Sequence, residues 1–388
     1  MVNVKEKQRC CGCGACVQAC PQQCIGFEAD AEGFCYPSVD ETICIDCVLC
    51  EQVCPVLHPY EKHRPIGVLA AINKDDEVRE RCSSGGIFSF LANQVIDAGG
   101  VVFGVRFNDE WLAVFDCAET REQVTAFRGS KYLQARVGDC YVRCKQFLEA
   151  ERQVLFSGTP CQIAGLHRFL RKTYENLLTV DFICHGVPSP KVWERYLEEE
   201  VATDHDFISS INFRDKRQGW KQYMTSIGYE KDGMRRIKLL PNSNNYYMKA
   251  FLANLTLRPS CYVCSAKSGK SHSDITLGDF WGIDRVNAEM DDNGGTSVVM
   301  IHTEKGLSAI RRDMLRWASS TYEDVVRHNP SVETSAKCHP KREQFFAALD
   351  GSSNLTALTA RCLRPPLKSL IKGQIKRILQ ELYLYKKK

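Results

Sequence analysis

Two runs of cysteines near the start of the chain have the spacing that binds iron–sulfur clusters. The chain has 21 cysteines, and eleven of them fall between Cys10 and Cys54. Each run follows the pattern C-x2-C-x2-C-x3-C-P, in which three thiolates wrap one face of a cubane and the fourth ligates the other cluster. The pattern predicts two [4Fe-4S] clusters with crossed ligands: Cys10, Cys13, Cys16 and Cys54 for the first, and Cys44, Cys47, Cys50 and Cys20 for the second.

The alternative for these runs is a pair of zinc sites. Zinc takes four ligands in a tetrahedron and has no use for a fourth cysteine that crosses to another site. Because both runs are intact, iron–sulfur ligation is the interpretation we adopt. Cys11, Cys24 and Cys35 fall outside the pattern and are interpreted as spare cysteines.

Two adjacent clusters indicate transfer of single electrons, so another group must handle electrons in pairs. Six later segments concentrate glycine, hydroxyl and cysteine residues: 82–86, 128–132, 157–162, 184–189, 261–264 and 278–282. Two of them, 157–162 and 184–189, follow predicted strands, and ligands in α/β sheets bind at such strand ends. The segment 82–86 precedes a predicted helix and suits a phosphate, although a helix cap formed by Ser84 explains it equally well.

Composition favours a protein of a reducing compartment. The chain has 388 residues, a formal net charge of +4 and no apolar run of membrane-spanning length. Residues 1–9 are polar and lack the apolar segment of a secretory signal, so the cysteines indicate metal ligation in the cytoplasm rather than disulfides. The small net charge and the lack of a nucleic-acid-binding signature predict no nucleic-acid partner.

Alternating strands and helices must position these segments. Apolar spacing predicts helices at 87–98, 162–171 and 190–201. Short apolar runs predict strands at 66–72, 101–107, 111–117, 154–156, 177–183, 208–213, 223–229, 275–277 and 298–302. The expected fold class is α+β: a bacterial-type ferredoxin domain over residues 1–60, then a mixed α/β domain over 65–335, and an extension over 336–388.

The order of these segments behind a two-cluster head resembles the beta-subunit family of coenzyme F420-reducing hydrogenases and dehydrogenases. The resemblance covers 66–329 and depends on Ser-Ser-Gly-Gly, Gly-Thr-Pro-Cys-Gln, Cys-His-Gly-Val-Pro-Ser and Gly-Asp-Phe-Trp-Gly. It implies that the mixed α/β domain over 65–335 is a flavin-binding domain with a non-covalent FAD and an additional [4Fe-4S] cluster. It also implies hydride exchange with a deazaflavin or another two-electron partner. Similar proteins reduce chlorophyll-type molecules or lie in sugar-polymer biosynthesis, so the resemblance indicates the redox apparatus better than the substrate.

The residues also favour the additional cluster that the resemblance implies. Cys161 and Cys184 each lie at the end of a predicted strand, and Cys261 and Cys264 form a C-x2-C pair. Together they supply four thiolates, the usual ligand set, and Cys82 is the substitute if one of them is wrong. In the alternative, Cys161 and Cys184 are buried apolar residues and the C-x2-C pair is incidental or binds zinc.

The same segments supply candidates for binding FAD. Ser84, Gly85 and Gly86 are expected at the pyrophosphate, and Ser130, Lys131, Thr159 and Gln162 around the ring or ribityl chain. A positive charge near the flavin N1 stabilises the reduced anion, and Lys131 is the leading candidate for it. His185 is a candidate proton relay. The ordinary alternatives are a solvated lysine and a structural histidine.

Two basic segments remain. Residues 213–221 mix Arg, Lys, Phe and Trp and suit an anionic substrate, with a solvated loop as the alternative.

Residues 364–388 have apolar residues at helical spacing and a basic remainder, which predicts a basic amphipathic helix. This tail suits peripheral contact with an anionic membrane or a partner protein, or packing on its own domain.

The sequence as a whole predicts an iron–sulfur, flavin-dependent oxidoreductase. It would relay single electrons between FAD and ferredoxin or another carrier. The FAD would exchange hydride with a deazaflavin coenzyme or another organic substrate, which includes a substrate of polysaccharide biosynthesis. One alternative is a non-catalytic electron-transfer subunit of a larger redox complex. Another is a sensing or scaffold protein with structural clusters.

Overall fold

A small head packs against a larger α/β body. The computed structural model describes residues 2, 4, 6–202, 207–231, 233–352 and 354–364. The predicted tail helix beyond Arg364 lies outside the described residues. The head contains two short helices and one antiparallel hairpin, namely α1 (Ala15–Ala19), α2 (Leu49–Gln52), β1 (Ile25–Ala29) and β2 (Cys35–Val39).

Eleven strands are present in the described part of the body. They are β3 (Gly67–Asn73), β4 (Val101–Phe107), β5 (Ala113–Ala118), β6 (Val154–Gly158), β7 (Leu177–Phe182), β8 (Phe207–Asp215), β9 (Met224–Lys231), β10 (Met234–Pro241), β11 (Ile275–Asp279), β12 (Ser297–Ile301) and β13 (Leu315–Ser319). Eight of them form one sheet in the order β13-β3-β12-β11-β7-β6-β4-β5, and β10-β9-β8 form a separate antiparallel sheet. All nine predicted strands are present, whereas β10 and β13 were not predicted from the sequence.

Twelve α-helices accompany these strands in the described part of the body. They are α3 (Asp76–Glu80), α4 (Ile87–Asp97), α5 (Arg121–Val124), α6 (Cys140–Glu149), α7 (Pro160–Leu170), α8 (Pro190–Ala202), α9 (Tyr246–Leu252), α10 (Ile283–Val286), α11 (Glu304–Ala309), α12 (Tyr322–His328), α13 (Arg342–Leu349) and α14 (Leu355–Leu363). Short 3-10 helices occur at Lys7–Arg9, Thr125–Phe127, Pro259–Val263, Ala288–Met290, Arg312–Met314 and Pro330–Val332. No described helix is long and apolar enough to cross a bilayer.

The strand directions of the large sheet bring the predicted site segments to one edge. β4, β6, β7 and β11 run parallel to one another, and β12 lies antiparallel between β11 and β3. The carboxyl ends of β3, β4, β6, β7 and β11 therefore share one edge. This mixed α/β arrangement confirms the fold class expected for the body, in which parallel strands are connected through helices.

Helices cover both faces of the large sheet. On one face Leu155 and Val102 pack against residues of α4 such as Leu91. On the other face Phe103 and Phe156 stack with ring centroids 5.3 Å apart and pack against α6 and α7. Cys140 and Cys144 of α6 are 1% and 0% exposed and belong to this core. These two dispersed cysteines are thus small buried apolar residues, as such cysteines usually are.

A histidine that follows β12 makes stability depend on pH. Burial, followed by the neighbouring His63 and His272, lowers the pKa of His302 from 6.5 to about 3. The unfolded chain therefore binds a proton on His302 more readily than the folded chain, so this contribution to stability is lost as pH falls from 6.5 towards 3. Between pH 6.5 and about 5 the loss amounts to at most about 2 kcal/mol.

This pH dependence is measurable by urea unfolding at a series of pH values. In His302→Gln the slope of the unfolding free energy between about pH 5 and 6.5 decreases, because the titrating ring is gone. His58→Gln is the control, because it removes an exposed histidine outside the packed group of His63, His272 and His302. An unchanged slope in His302→Gln would contradict the assignment.

Candidate redox site

Four of the predicted ligands of the first cluster line one cavity in the head. The cavity has a volume of about 450 Å³ and is lined by Cys10, Cys13, Cys16 and Cys54, together with Cys11. Cys54 comes from the second run, so the crossed arrangement brings it beside the first. Burial, followed by the neighbouring Cys10 and Cys54, raises the pKa of Cys16 to about 12. Such a thiol ionises readily only when a cation is bound to it.

The four predicted ligands of the second cluster line another cavity of the head. Its volume is about 20 Å³, and its lining includes Cys44, Cys47, Cys50 and Cys20, the last from the first run. Cys24 also lines it, with its Sγ 3.3 Å from the Sγ of Cys20. The two cavities therefore hold the two predicted ligand sets separately, each with one cysteine from the other run.

Both runs bend around their cavities with the same backbone conformation. Gly12 and Gly14 of the first run have φ values of 69° and 79°, and Asp46 and Val48 at the matching positions of the second run have 50° and 53°. Positive φ is costly for a β-branched residue such as valine, which persists there only where the surroundings enforce it. The shared conformation shows that the three-cysteine loop itself requires these turns.

A third cavity brings together the four cysteines predicted for the additional cluster. It measures about 50 Å³ and is lined by Cys161, Cys184, Cys261 and Cys264. Cys161 is the second residue of α7, directly after β6, and Cys184 follows β7. Burial raises the pKa of Cys184 to about 12, although the ammonium of Lys267 acts in the opposite direction.

Cys11 lies between the first and third cavities and lines both of them. Its thiol lies close enough to the thiols of Cys13 and Cys161 to interact with both, and the interaction with Cys13 contributes most to a raised pKa of Cys11. The cysteine interpreted as spare therefore connects the two sites. Cys82, the predicted substitute ligand, lies elsewhere, with its Sγ 3.2 Å from the Oγ of Ser89.

The thiols form the walls of these cavities and do not converge on one point. In the described part of the chain, no group of three or more His, Cys, Asp or Glu side chains is placed to hold a single metal ion. The donor set in each cavity is four cysteines, which is the set that [4Fe-4S] clusters take. The residues present therefore fit the predicted clusters.

Two of the predicted FAD segments meet at the shared edge of the sheet. The Oγ of Ser83 lies 3.0 Å from the Oγ of Ser130 and accepts a hydrogen bond from the Ser130 backbone N–H at 2.8 Å. The Ser84 hydroxyl donates to the carbonyl of Thr296 at 3.0 Å. The segments 82–86 and 128–132 thus form one hydrogen-bonded unit.

The two glycines of this unit have different roles. A Cβ on Gly85 would lie 2.4 Å from the carbonyl oxygen of Ala71. The backbone N–H of Gly85 already donates a hydrogen bond to the Oγ of Ser297. Gly85 is therefore required for packing on the sheet. Gly86 has φ of 83° and directly precedes α4, whose first N–H groups have no partner within the helix. Gly86 and the first turn of α4 fit a phosphate better than Gly85 does.

The side chain of Lys131 is hydrogen-bonded to the backbone of its own loop. Its ammonium donates to the carbonyls of Ala126, Arg128 and Gly129 at 3.0, 2.9 and 3.2 Å. Burial lowers the pKa of Lys131 to about 7. All three hydrogens of a charged Lys131 are thus bonded to the backbone, and contact with a flavin ring requires one of these bonds to be exchanged.

The other three candidate side chains also have partners. The amide oxygen of Gln162 accepts hydrogen bonds from the N–H and hydroxyl of Thr159 at 2.9 and 2.8 Å, which caps α7. The Nε2 of His185 lies 2.5 Å from the amide oxygen of Asn254, and burial lowers the pKa of His185. His185 also lines the third cavity, next to Cys184.

The basic stretch 213–221 packs onto the unit formed by 82–86 and 128–132. Arg214 is 3% exposed and pairs with Asp279, with 2.9 Å between Nη1 and Oδ2. The ammonium of Lys216 donates to the carbonyls of Arg79 and Gly294, both at 2.8 Å, and lies 3.3 Å from the carbonyl of Ser84. The stretch is therefore packed into the body over residues 213–216, although Arg217, Gln218 and Lys221 are exposed. It places positive charge beside the predicted phosphate site.

Comparisons with known families cover both parts of the chain. Residues 9–57 match the 4Fe-4S dicluster domain. Residues 68–139 match the N-terminal part, and residues 151–316 the C-terminal part, of the coenzyme F420 hydrogenase/dehydrogenase beta subunit. The last two matches together cover more than half of the chain.

Two individual proteins are similar over most of the chain. An uncharacterised protein of Methanocaldococcus jannaschii is 23% identical in an alignment 379 residues long, which covers 86% of this chain and 94% of that protein. Among solved structures, a chain of the F420-reducing [NiFe] hydrogenase complex from Methanosarcina barkeri, studied by xenon derivatization, aligns with a TM-score of 0.45 and 17% identity. That alignment covers 68% of this chain and 84% of the other.

Proposed function

The chain belongs to the coenzyme F420 hydrogenase/dehydrogenase beta-subunit family and carries a 4Fe-4S dicluster domain, and on this premise we propose that it is an iron–sulfur flavoprotein oxidoreductase. In this proposal twelve cysteines hold three [4Fe-4S] clusters, and the edge of the large sheet holds FAD. When bound, a cluster passes one electron at a time and a flavin exchanges electrons singly or as a pair.

The observation that carries this proposal is the arrangement of the three cysteine-lined cavities. Cys47 of the second cavity is exposed, so an electron carrier such as ferredoxin would dock beside it. Cys11 interacts with a cysteine of the first cavity and a cysteine of the third. Because the three cavities connect the head surface to the carboxyl ends of β6 and β7, the cysteines suit a relay between a carrier and the body.

The residues at the sheet edge support FAD as the two-electron group. Gly86 and the first turn of α4 offer backbone N–H groups to a pyrophosphate, and Lys216 supplies positive charge beside them. The substrate in this proposal is a deazaflavin coenzyme or another organic compound, including one of polysaccharide biosynthesis. Lys131 and His185 remain the candidates for contact with the reacting groups.

One observation favours a second candidate function. Both candidate catalytic groups are engaged, Lys131 by three carbonyls and His185 by Asn254. This favours a non-catalytic subunit that passes electrons to a partner which performs the chemistry. The purified chain, supplied with reduced ferredoxin or dithionite, separates the two: reduction of a candidate substrate by the chain alone supports the oxidoreductase and contradicts the second function.

We expect denaturation to release about one FAD per chain, and Lys216→Gln to weaken FAD retention. The substitution removes a positive charge beside the phosphate site, and burial has already lowered the pKa of Lys216 to about 8. A tenfold increase in Kd, about 1.4 kcal/mol, is the expected effect, measured by flavin fluorescence during dialysis.

Lys221→Gln is the matched control for this measurement. Lys221 belongs to the same basic stretch but pairs with Asp291 at 2.5 Å and is partly exposed. Its substitution leaves FAD retention unchanged. Equal retention in Lys216→Gln and the parent would place the phosphate elsewhere, and a chain that never contains flavin would contradict the FAD proposal itself.

A further inference from the structure

Arg258 is a completely buried arginine that points at the first cysteine of the head. It is 0% exposed. Its Nε donates to the carbonyl of Cys10 at 2.8 Å, and one of its terminal nitrogens lies 3.6 Å from the Sγ of Cys10 and 3.0 Å from the carbonyl of Cys35. The other terminal nitrogen donates to the amide oxygen of Gln134 at 2.9 Å. The guanidinium therefore lies against the wall of the first cavity.

None of these described partners of Arg258 is a carboxylate. The guanidinium also lies over the ring of Tyr36, with its Cζ 4.3 Å from the centroid. Neutral acceptors and an aromatic face reduce the cost of burying a guanidinium but do not supply the opposite charge that buried ions normally have. A [4Fe-4S] cluster on four thiolates is anionic, and Cys10 is one of its predicted ligands. The cluster would complete the charge balance of this site.

Contacts with the head and with the body fix the position of Arg258. Gly12, with φ of 69°, allows close approach, since a Cβ there would lie 2.6 Å from Nε2 of Gln134 and 3.1 Å from Cζ of Arg258. The backbone N–H of Arg258 donates to the carbonyl of Val187, and its carbonyl accepts from the N–H of Cys261. Arg258 thus belongs to the segment that carries a cysteine of the third cavity.

The second cavity has a different electrostatic environment. Residues 10–61 contain eight Asp or Glu residues and no Lys or Arg, whereas Arg9, directly before them, lines the first cavity. Among the described residues that line the second cavity, none is a lysine or an arginine, and Asp46 is one of them. The two head sites have equivalent cysteines, but among the described residues only the first site has a buried cation donated by the body.

We propose that Arg258 is the charge partner of the cluster held by Cys10, Cys13, Cys16 and Cys54, and that it raises the reduction potential of this cluster above that of the cluster held by Cys44, Cys47, Cys50 and Cys20. A positive charge and a hydrogen bond to a ligand sulfur stabilise the reduced, more negative form. The gradient favours movement of electrons from the exposed second site inward. The inference rests on the proposed clusters and assigns Arg258 a role as a positioning residue.

The test is a potentiometric titration of the anaerobically purified protein, followed by electron paramagnetic resonance, on the parent, Arg258→Gln, Arg258→Lys and Arg342→Gln. We expect Arg258→Gln to shift the reduction equilibrium of one cluster at least tenfold towards the oxidised form, about 59 mV for a one-electron couple. Arg258→Lys keeps the charge and restores most of the parent potential. The third variant is a matched control, because Arg342 is also buried and joins body to head through Glu32 at 2.5 Å but does not contact a cysteine sulfur.

Each outcome decides the proposal. Selective loss of four iron atoms in Arg258→Gln, with full iron in Arg342→Gln, supports it, since an unbalanced site fails to hold its cluster. Unchanged potentials in Arg258→Gln at full iron content would overturn it, as would equal effects of Arg258→Gln and Arg342→Gln, which would show that only docking of the head matters. If the parent itself lacks a cluster on the first run, the proposed function fails and not the role of Arg258 alone.

Discussion

Cys161→Ala and Cys184→Ala each lower the iron content of the anaerobically purified protein from about twelve to about eight atoms per chain, because each removes one thiolate from the third cavity. The two clusters of the head remain, since none of their predicted ligands is changed. Electron transfer from reduced ferredoxin to flavin slows sharply, whereas direct chemical reduction of the flavin persists. Iron analysis and the visible thiolate-to-iron absorbance provide the measurement.

Cys140→Ala is the matched control for this experiment. Cys140 is 1% exposed and lies in α6, within the apolar core. Its substitution leaves about twelve iron atoms per chain. If Cys161→Ala and Cys184→Ala also retain the full iron content, these two cysteines are ordinary core residues and the third cluster does not exist. Zinc in place of iron in the parent would contradict all three clusters.

The crossed ligand sets predict an unusual pattern of iron loss in double variants. Cys10 and Cys54 line the same cavity although they belong to different runs. Cys10→Ala/Cys54→Ala therefore loses about four iron atoms per chain, no more than either single variant, because both substitutions affect one cluster. Cys44→Ala/Cys54→Ala loses about eight, because the substitutions affect both head clusters.

If each run ligated one cluster by itself, without crossed ligands, the double variants would give the opposite result. Cys10→Ala/Cys54→Ala would then lose about eight iron atoms and Cys44→Ala/Cys54→Ala about four. Cys35→Ala is the control, because Cys35 lies in β2 outside both patterns, and its substitution leaves the iron content unchanged. Equal losses in the two double variants would show that the head unfolds as a unit when any ligand is removed, which contradicts the predicted independence of the two clusters.

The cysteine spacing determined the head, because the ligands of an iron–sulfur cluster are mostly local in sequence. Three of the four cysteines of each predicted set lie within seven residues, so their types and order alone indicate the site. The matching turns at Gly12 and Asp46 follow from that spacing. The alternation of apolar segments likewise predicted all nine of the strands expected in the body. β10 was not predicted. Because most of its residues are exposed to solvent, its apolar periodicity is weak.

The sequence also indicated that segments 157–162 and 184–189 lie at the sheet edge, because residues at the carboxyl ends of parallel strands converge on one edge. Residue roles within that edge depended on tertiary structure. Lys131 is held by three carbonyls of its own loop, and Gly85 is fixed by Ala71 and Ser297, contacts that no local pattern encodes. For the same reason, the sequence of the basic stretch 213–221 did not predict that Arg214 is buried against Asp279.

Only the tertiary structure placed Cys11 and Arg258. Cys11 looks redundant beside Cys10, yet its thiol interacts with that of Cys161, 150 positions later in the chain. Arg258 precedes an ordinary Pro-Ser pair, and nothing in its neighbours along the chain indicates that its side chain contacts Cys10. Local spacing determines which residues are able to bind a cluster, whereas the charges and thiols around that cluster come from distant segments that meet only when the sheet and its helices pack together.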